Sequence, residues 1–196
     1  MRDAEIRSFV AIELPAGLKE RLKAYQAALK LPQHRFVKWV DPGLIHLTIK
    51  FLGNVSSGKL DDVKSALAKA AGATRPFKLQ TKETGCFPNP KRVRVFWLGM
   101  KCDGEELLKL AKDVDVALTR LGFPSEERPF ASHLTLARLK DDCSLDDRSA
   151  FSELISGSEF KPEFSMLVDS VSLMRSQLTP SGPIYTCLAK FKLGGV

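Results

Sequence analysis

The feature of this sequence that most restricts its fold is a four-residue motif that occurs twice. His46-Leu47-Thr48-Ile49 returns 87 positions later as His133-Leu134-Thr135-Leu136, and a leucine follows each copy at the same offset, at Leu52 and Leu139. The chain has only 3 histidines. The chance that two of them would each have threonine two positions on is roughly half a per cent. The repeat therefore predicts two similar halves.

Side-chain alternation along a strand gives this motif a geometry. From Ile45 to Phe51 the apolar residues occupy every second position and are expected to face the core. His46 and Thr48 then project together from the opposite face. The same alternation applies around His133. A pseudo-twofold axis relating the two halves would bring both pairs to a central cleft.

Periodicity elsewhere predicts alternating strands and helices with no low-complexity linker between the halves. Predicted strands cover 9–14, 36–40, 44–52, 76–87, 92–99, 132–139, 164–174 and 185–193, and predicted helices cover 16–30, 58–71, 103–121 and 145–155. A chain of 196 residues is within the usual size of one domain. We predict an α+β fold in which residues 1–196 form a single domain. Two pseudo-twofold-related lobes would line a central cleft with antiparallel sheets and carry helices outside.

Composition narrows the class of protein. The apolar content of 44% is enough for a core, and no apolar run approaches the roughly 20 residues that a membrane span needs. The first residues lack the cleavage site of a signal peptide. The 4 cysteines are far apart and include no Cys-x-x-Cys pair, which argues against a zinc module or a disulfide framework. We expect a cytoplasmic, monomeric protein with reduced thiols.

The charge balance suggests a kind of partner. Lys and Arg number 30 against 23 Asp and Glu, giving a net charge of +7 and a pI near 9.3. Such a balance is typical of proteins that bind a polyanion such as nucleic acid. An ordinary solvated surface is the alternative reading, and charge alone favours it.

Two imidazoles and two hydroxyls in one cleft suit acid–base chemistry at a phosphate. Histidine, with an unperturbed pKa of about 6.5, can remove or deliver a proton near neutral pH. Threonine hydroxyls can donate hydrogen bonds to the non-bridging oxygens of a phosphate. Histidine and threonine without carboxylates make a poor metal site. The motif pair therefore predicts a metal-free phosphodiester site, whereas His34, in a polar turn, is expected to be exposed.

The two His-x-Thr-x motifs resemble those of the 2H phosphoesterases. More narrowly, the chain is similar to the RNA 2′,3′-cyclic phosphodiesterases, also known as bacterial and archaeal 2′-5′ RNA ligases. The segments that carry the likeness are 7–12, 46–53, 92–99 and 133–138. The resemblance implies opening of a 2′,3′-cyclic phosphate at an RNA end to a 2′-phosphomonoester, with reversible 2′-5′ ligation as an accompanying activity. It implies neither a metal nor another cofactor.

The same resemblance implies roles for five residues. His46 would be the proton donor to the leaving oxygen, and His133 would be the proton acceptor that activates water. Thr48, Thr135 and Arg138 would hold the phosphate. The parity of the strand is a difficulty for Arg138, which lies an odd number of positions from His133 and should face the core. A β-bulge could return Arg138 to the cleft.

Aromatic and basic residues near the motifs are candidates for contact with RNA, since bases stack on aromatic faces and phosphates attract cations. The candidates are Phe9, Phe87 and Phe96 for stacking, and Lys50, Arg92 and Arg94 for the backbone. In the strand over 92–99 we expect Val95 and Trp97 on one face and Arg94 and Phe96 on the other, with Trp97 in the core. Simple packing is the alternative for each phenylalanine.

Three other functions stay open. The same four motif residues would serve another substrate, such as a cyclic nucleotide, an ADP-ribose cyclic phosphate or a 2′-5′ linked oligonucleotide. A non-catalytic module could use the motifs to clamp a terminal phosphate of RNA. A metal hydrolase is the weakest alternative, because the motifs contain no carboxylate.

Overall fold

Two antiparallel sheets form the centre of the protein in the computed structural model, which describes residues 4–194. The strands are β1 (Glu5–Glu13), β2 (Val37–Trp39), β3 (His46–Ser56), β4 (Phe77–Phe87), β5 (Val95–Cys102), β6 (His133–Leu139), β7 (Ser165–Val168), β8 (Ser170–Thr179) and β9 (Gly182–Lys192). One sheet has the order β3-β1-β8-β9 and the other has the order β2-β6-β5-β4-β7. The predicted α+β class with antiparallel sheets is confirmed. The single-domain prediction also includes 1–3 and 195–196, which lie outside the described residues.

The two motif strands belong to different sheets and contact each other. β3 is an edge strand of the first sheet, whereas β6 lies second in the other sheet, between β2 and β5. In each sheet the motif strand pairs with a strand of strongly apolar composition, β1 or β5. The contact between β3 and β6 brings the two halves of the sequence repeat to one place.

Four helices pack one face each against this centre. They are α1 (Ala16–Leu29), α2 (Leu60–Gly72), α3 (Glu106–Thr119) and α4 (Leu145–Ser156). α3 buries an apolar stripe from Leu107 to Leu118, and Gly122 follows the helix with the positive φ of +90° that favours glycine. In the described residues 4–194, no helix is both long enough and apolar enough to cross a membrane.

Two local predictions are wrong. The helix predicted from 103 begins later, at Glu106, and the Asp103 carboxylate before it forms a salt bridge with Lys101 at 2.9 Å. The strand predicted over 164–174 is two strands in different sheets, β7 beside β4 and β8 beside β1. The chain changes sheets at Asp169, and the buried apolar positions change parity there, from Met166 and Val168 in β7 to Val171 and Leu173 in β8.

Candidate active site

The two motif strands have the same pattern of burial over seven residues. From His46 to Leu52 and from His133 to Leu139, the histidine and threonine are half-buried and the fourth and fifth residues are both buried. A cavity of about 940 Å³ is lined by Thr48 and by His133. The cavity thus touches one residue of each motif, whereas His46 and Thr135 lie outside its lining.

Each motif histidine is oriented by the same hydrogen bond. Nδ1 of His46 lies 2.8 Å from the carbonyl oxygen of Leu44, and Nδ1 of His133 lies 2.7 Å from that of Ala131. A carbonyl oxygen only accepts, so Nδ1 carries the hydrogen and donates it. This leaves Nε2 of each ring free to take or give a proton, a common arrangement for functional histidines.

The aromatic neighbours of the two histidines differ. Phe9 stacks on His46 with ring centroids 4.6 Å apart and an interplanar angle of 25°, and Tyr185 meets the same imidazole edge-on at 5.3 Å. Phe87 meets His133 edge-on at 5.1 Å, and Trp97 lies 6.4 Å away. His46 is therefore covered by a stacked ring, whereas the Phe87 and Trp97 rings lie at steep angles to the His133 ring, 88° and 61°.

Burial lowers the pKa of His46 below its ordinary value of 6.5. The hydrogen bond to the Leu44 carbonyl raises this pKa and the positive charge of Lys19 lowers it further, but the loss of hydration is the largest effect. In the absence of a bound anion, the environment of His46 thus favours the neutral imidazole.

A β-bulge follows the threonine in both motif strands. Strand pairing skips Ile49 in β3 and Leu136 in β6, each the third residue after the motif histidine. An extra residue reverses the alternation beyond it. Arg138 consequently is exposed and leaves the core side, so its parity difficulty is resolved. The same reversal leaves Phe51 64% exposed, so its predicted place on the core face is wrong.

Arg138 shares its surroundings with Tyr185, which meets the His46 ring at a steep angle. Burial raises the pKa of the Tyr185 hydroxyl, while the nearby charges of Arg138 and Arg7 act to lower it. Tyr185 in turn contacts the His46 imidazole. An arginine from the second motif strand is therefore within electrostatic reach of Tyr185, which contacts the histidine of the first motif.

Buried polar side chains support both bulges. Lys50 is 2% exposed, and its Nζ donates hydrogen bonds to a carboxylate oxygen of Asp115 and, at 2.6 Å, to the carbonyl of Pro124. Gln26 of α1 donates from Nε2 to the carbonyl oxygens of Val40 and Leu136, both at 2.9 Å. The prediction that Lys50 contacts the RNA backbone is wrong, because its charge is enclosed and paired.

Two of the predicted stacking residues have no free face. Phe96 is fully buried, because Phe96 and Leu98 are the core-facing residues of β5 and the predicted parity of that strand is reversed. Phe9 is 3% exposed and already packed against His46. Both are wrong as platforms for a base. Phe87 is half-buried and lines the cavity beside His133.

Of the two arginines predicted to contact the RNA backbone, one lines the cavity and the other does not. Arg94 is exposed and lines the cavity. Arg92 is exposed at the end of a short 3₁₀ helix, Pro90–Arg92, whose amides are capped by the side chain of Asn89. Its side chain lies outside the cavity lining. The cavity thus receives one of these two arginines.

Two aromatic residues beside the motif histidines were not predicted from the sequence as part of the site. Tyr185 comes from β9, far along the chain, and no repeat or motif marks it. Trp97, predicted as core, faces His133, and a side chain at Gly85 on the neighbouring strand would overlap the Trp97 ring. A glycine inside a strand pattern was therefore an available signal for a large neighbour.

Other candidate chemistry is absent from the part of the chain that the structure describes. Residues 4–194 contain no group of three His, Cys, Asp or Glu side chains placed to hold a metal ion. His34, expected to be exposed, is half-buried with its ring 5.3 Å from Phe36 and 6.1 Å from Phe151. The third histidine therefore packs on aromatic rings away from the motifs.

Relatives match this chain over nearly its whole length. The sequence model of the LigT-like phosphoesterases matches residues 12–97 and again residues 98–185. An RNA 2′,3′-cyclic phosphodiesterase of Methanothermobacter thermautotrophicus is 36% identical over 189 residues, covering 96% of this chain and 100% of that protein. One from Thermus thermophilus is 32% identical over 196 residues, covering 97% and 91%.

Solved structures share the fold. A crystal structure from Thermus thermophilus has a TM-score of 0.78 at 30% identity and covers 97% of this chain and 99% of its own. Escherichia coli LigT in complex with 3′-AMP has a TM-score of 0.73 at 28% identity and covers 97% and 99%. Each of the two sequence-model matches contains one motif strand. This chain belongs to the LigT-like phosphoesterase family.

Proposed function

We propose that this protein hydrolyses the 2′,3′-cyclic phosphate at an RNA end to a 2′-phosphomonoester and a free 3′-hydroxyl. The observation that carries the proposal is the duplicated histidine geometry, in which Nδ1 of His46 and of His133 is engaged and Nε2 is free. The names of the relatives support the substrate, since they are RNA 2′,3′-cyclic phosphodiesterases. Escherichia coli LigT in complex with 3′-AMP and with phosphate supports a nucleotide site.

The reaction uses the two histidines in opposite protonation states. Nε2 of His133 removes a proton from water, and the water oxygen attacks phosphorus. The bond from phosphorus to the 3′ oxygen breaks, and His46 delivers the proton from its Nε2 to that oxygen. Thr48 and Thr135 donate hydrogen bonds to the non-bridging oxygens, where negative charge develops in the transition state. Arg138 adds a positive charge on the same side.

Substrate binding supplies the protonation that His46 needs as a donor. Burial lowers its pKa in the free protein, because the imidazolium is poorly hydrated there. A phosphate monoanion beside the ring favours the imidazolium and raises the pKa again. The proton is therefore acquired together with the substrate, and it is delivered when the 3′ oxygen leaves.

The same site could act in the reverse direction or on related nucleotides. By microscopic reversibility, a 5′-hydroxyl in the place of water would join to the cyclic phosphate and form a 2′-5′ linkage. Escherichia coli LigT in complex with ATP and with NADP⁺ favours a test of other adenine nucleotides. A non-catalytic clamp for RNA ends predicts binding without turnover.

The decisive assay uses a short RNA that ends in a 2′,3′-cyclic phosphate, in excess chelator. We expect complete conversion to the 2′-phosphomonoester, identified by ³¹P NMR. Activity that disappears in chelator and returns with a metal ion would contradict the metal-free chemistry. A 3′-phosphate product would contradict the leaving group. Tight binding with no product would support the non-catalytic clamp.

A further inference from the structure

The cavity that joins the motifs continues well past them. It is lined by Thr48 and His133 of the motif strands and also by Leu108 and Lys112 on α3. Its volume of about 940 Å³ is close to the upper limit of the roughly 300–1,000 Å³ typical of small-molecule sites. The space therefore exceeds what the reacting phosphate and its ribose require.

The walls of this cavity are positively charged and ready for an anion. Arg94, Lys112 and Arg128 line it, and within residues 4–194 their side chains make no hydrogen bond or ion pair. Lys50 and Asp115 neutralise each other, which leaves Glu126 as the opposing carboxylate. The reacting phosphate is already served by the motif side chains. The three unpaired cationic side chains are therefore available to bind further phosphate groups of a substrate.

Phe51 gives the same cavity an exposed aromatic face. It is 64% exposed on the cavity wall, and its ring lies 6.2 Å from that of Phe9 at an angle of 46°. An aromatic ring in a cationic groove is the usual platform for an unpaired base. Phe51 lies three residues beyond Thr48, about 10 Å along a strand. That separation places Phe51 away from the reacting phosphate, at the distance of a base rather than of a phosphate oxygen.

We propose that this cavity binds the single-stranded RNA that precedes the cyclic phosphate. A base upstream of the reacting nucleotide stacks on Phe51, and upstream phosphates lie near Arg94, Lys112 and Arg128. The proposal rests on the proposed function and adds a preference for oligonucleotides over a cyclic mononucleotide. The loop between α3 and β6 forms one wall, and the Lys50–Asp115 pair holds that loop in place.

The first test compares kcat/KM on 2′,3′-cyclic AMP with kcat/KM on a tetranucleotide that ends in a cyclic phosphate. Phe51→Ala should lower the value for the tetranucleotide by about 5- to 100-fold, the usual effect of losing one base–aromatic stack. The kcat/KM for cyclic AMP should stay unchanged. Phe51→Trp, which keeps an aromatic ring, should have nearly the wild-type kcat/KM on the tetranucleotide. Leu167→Ala is the matched control, because Leu167 is also 64% exposed but lies on β7.

Each other outcome has a definite meaning. An equal loss on both substrates would place the stacked base on the reacting nucleotide and overturn the upstream assignment. No loss of kcat/KM on either substrate would contradict the stacking of a base on Phe51. If wild-type protein converts neither substrate, the proposed function fails, and fluorescence anisotropy with a labelled tetranucleotide tests the cavity by itself. Phe51-dependent binding would then support the cavity, and binding that is indifferent to Phe51→Ala would overturn it.

The second test measures how binding of the tetranucleotide depends on salt. Arg94→Gln, Lys112→Gln and Arg128→Gln should each reduce the slope of log K against log salt by about 0.7, the value for one phosphate of a single strand. Lys78→Gln is the control, because exposed Lys78 lies at the opposite end of β4 from Phe87. An unchanged slope in all three variants would overturn the phosphate contacts.

Discussion

The two copies of the motif have the same backbone and different neighbours. Both strands bulge at the third residue after histidine, and both histidines donate from Nδ1 to a carbonyl two residues earlier. Phe9 stacks on His46, and burial lowers its pKa, whereas His133 lies at the cavity beside Phe87. The repeat thus determines where the imidazoles point, and strands outside the repeat determine how readily one of them holds a proton.

Beyond the bulge the two copies carry different side chains. The fourth residue after histidine is Lys50 in one strand and Ala137 in the other, and both are buried. The fifth is Phe51 in one strand and Arg138 in the other, and both are exposed. The same backbone position therefore provides an aromatic face on one side of the site and a positive charge on the other. This difference suits a substrate with a base at one end and a phosphate at the other.

Removing either histidine should have the largest effect. His46→Ala and His133→Ala should each lower kcat on an RNA cyclic phosphate by about 10²- to 10⁴-fold, the usual contribution of a general acid or base. Steady-state kinetics on folded protein, verified by circular dichroism, checks this. His34→Ala is the control and should keep its activity. A histidine variant with near wild-type turnover would break the symmetry of the pair.

The threonines should matter equally in the two copies and less than the histidines. Thr48→Ala and Thr135→Ala should each lower kcat by about 10- to 10³-fold, because each removes a hydrogen bond to transition-state charge. Thr→Ser at the same position should restore most of the rate, since the hydroxyl remains. Restoration in one copy alone would show that the copies contribute unequally.

The buried ion pair of Lys50 should contribute to the free energy of unfolding. Ala137, at the corresponding position of the second motif strand, has no charge and forms no such pair. Lys50→Met leaves the Asp115 carboxylate without its partner, and we expect a loss of about 3 kcal/mol in the free energy of unfolding. This is the lower part of the usual range, because the Asp115 side chain is 20% exposed and water can reach it. Urea unfolding measures the loss.

The matched control for Lys50 is Lys64→Met, which breaks a surface pair with Asp61 and should cost at most about 1 kcal/mol. Adding Asp115→Asn to Lys50→Met should recover part of the loss, because no unpaired charge remains. Equal losses in Lys50→Met and Lys64→Met would contradict the buried pair.

Arg138 should affect all substrates, in contrast to Phe51. Arg138→Gln removes a positive charge beside the phosphate, and kcat/KM should fall by about 10- to 100-fold on cyclic AMP and on the tetranucleotide alike. Arg120→Gln, an exposed arginine at the end of α3, should change neither value. A loss of kcat/KM on the tetranucleotide alone would indicate that Arg138 contacts the RNA strand and not the reacting phosphate.

The smallest expected effect is a shift in titration. In the free protein, His46 should titrate below pH 6.5 by NMR, and inorganic phosphate should raise its pKa. Because the folded-state pKa is lowered, the contribution of neutral His46 to stability is present above about pH 6.5 and is lost as pH falls through the folded-state pKa. Phe9→Ala should raise the pKa by hydrating the ring. A value above 6.5 in the free protein would contradict burial as its cause.

Much of the architecture was accessible from periodicity, because helices and strands bury one face each. The helices α1, α2 and α4 and the motif strands were predicted close to their observed positions. The errors arose where strand partners or register changed within one apolar segment. The break at Asp169 separates two sheets within the single strand predicted over 164–174, and the reversed parity of β5 removed Phe96 from the site and exposed Trp97 to it.

The motif pair, the two pairs of histidine and threonine side chains and the antiparallel strands that carry them were determined by the sequence alone, because strand alternation is a local property of the backbone. The tertiary structure decided everything that depends on neighbours from distant segments. It covered His46 with Phe9 and Tyr185, enclosed Lys50 against Asp115, and used two bulges to expose Phe51 and Arg138. Burial, charge pairing and register depend on which strands pack together, and local patterns in the sequence do not specify these long-range contacts.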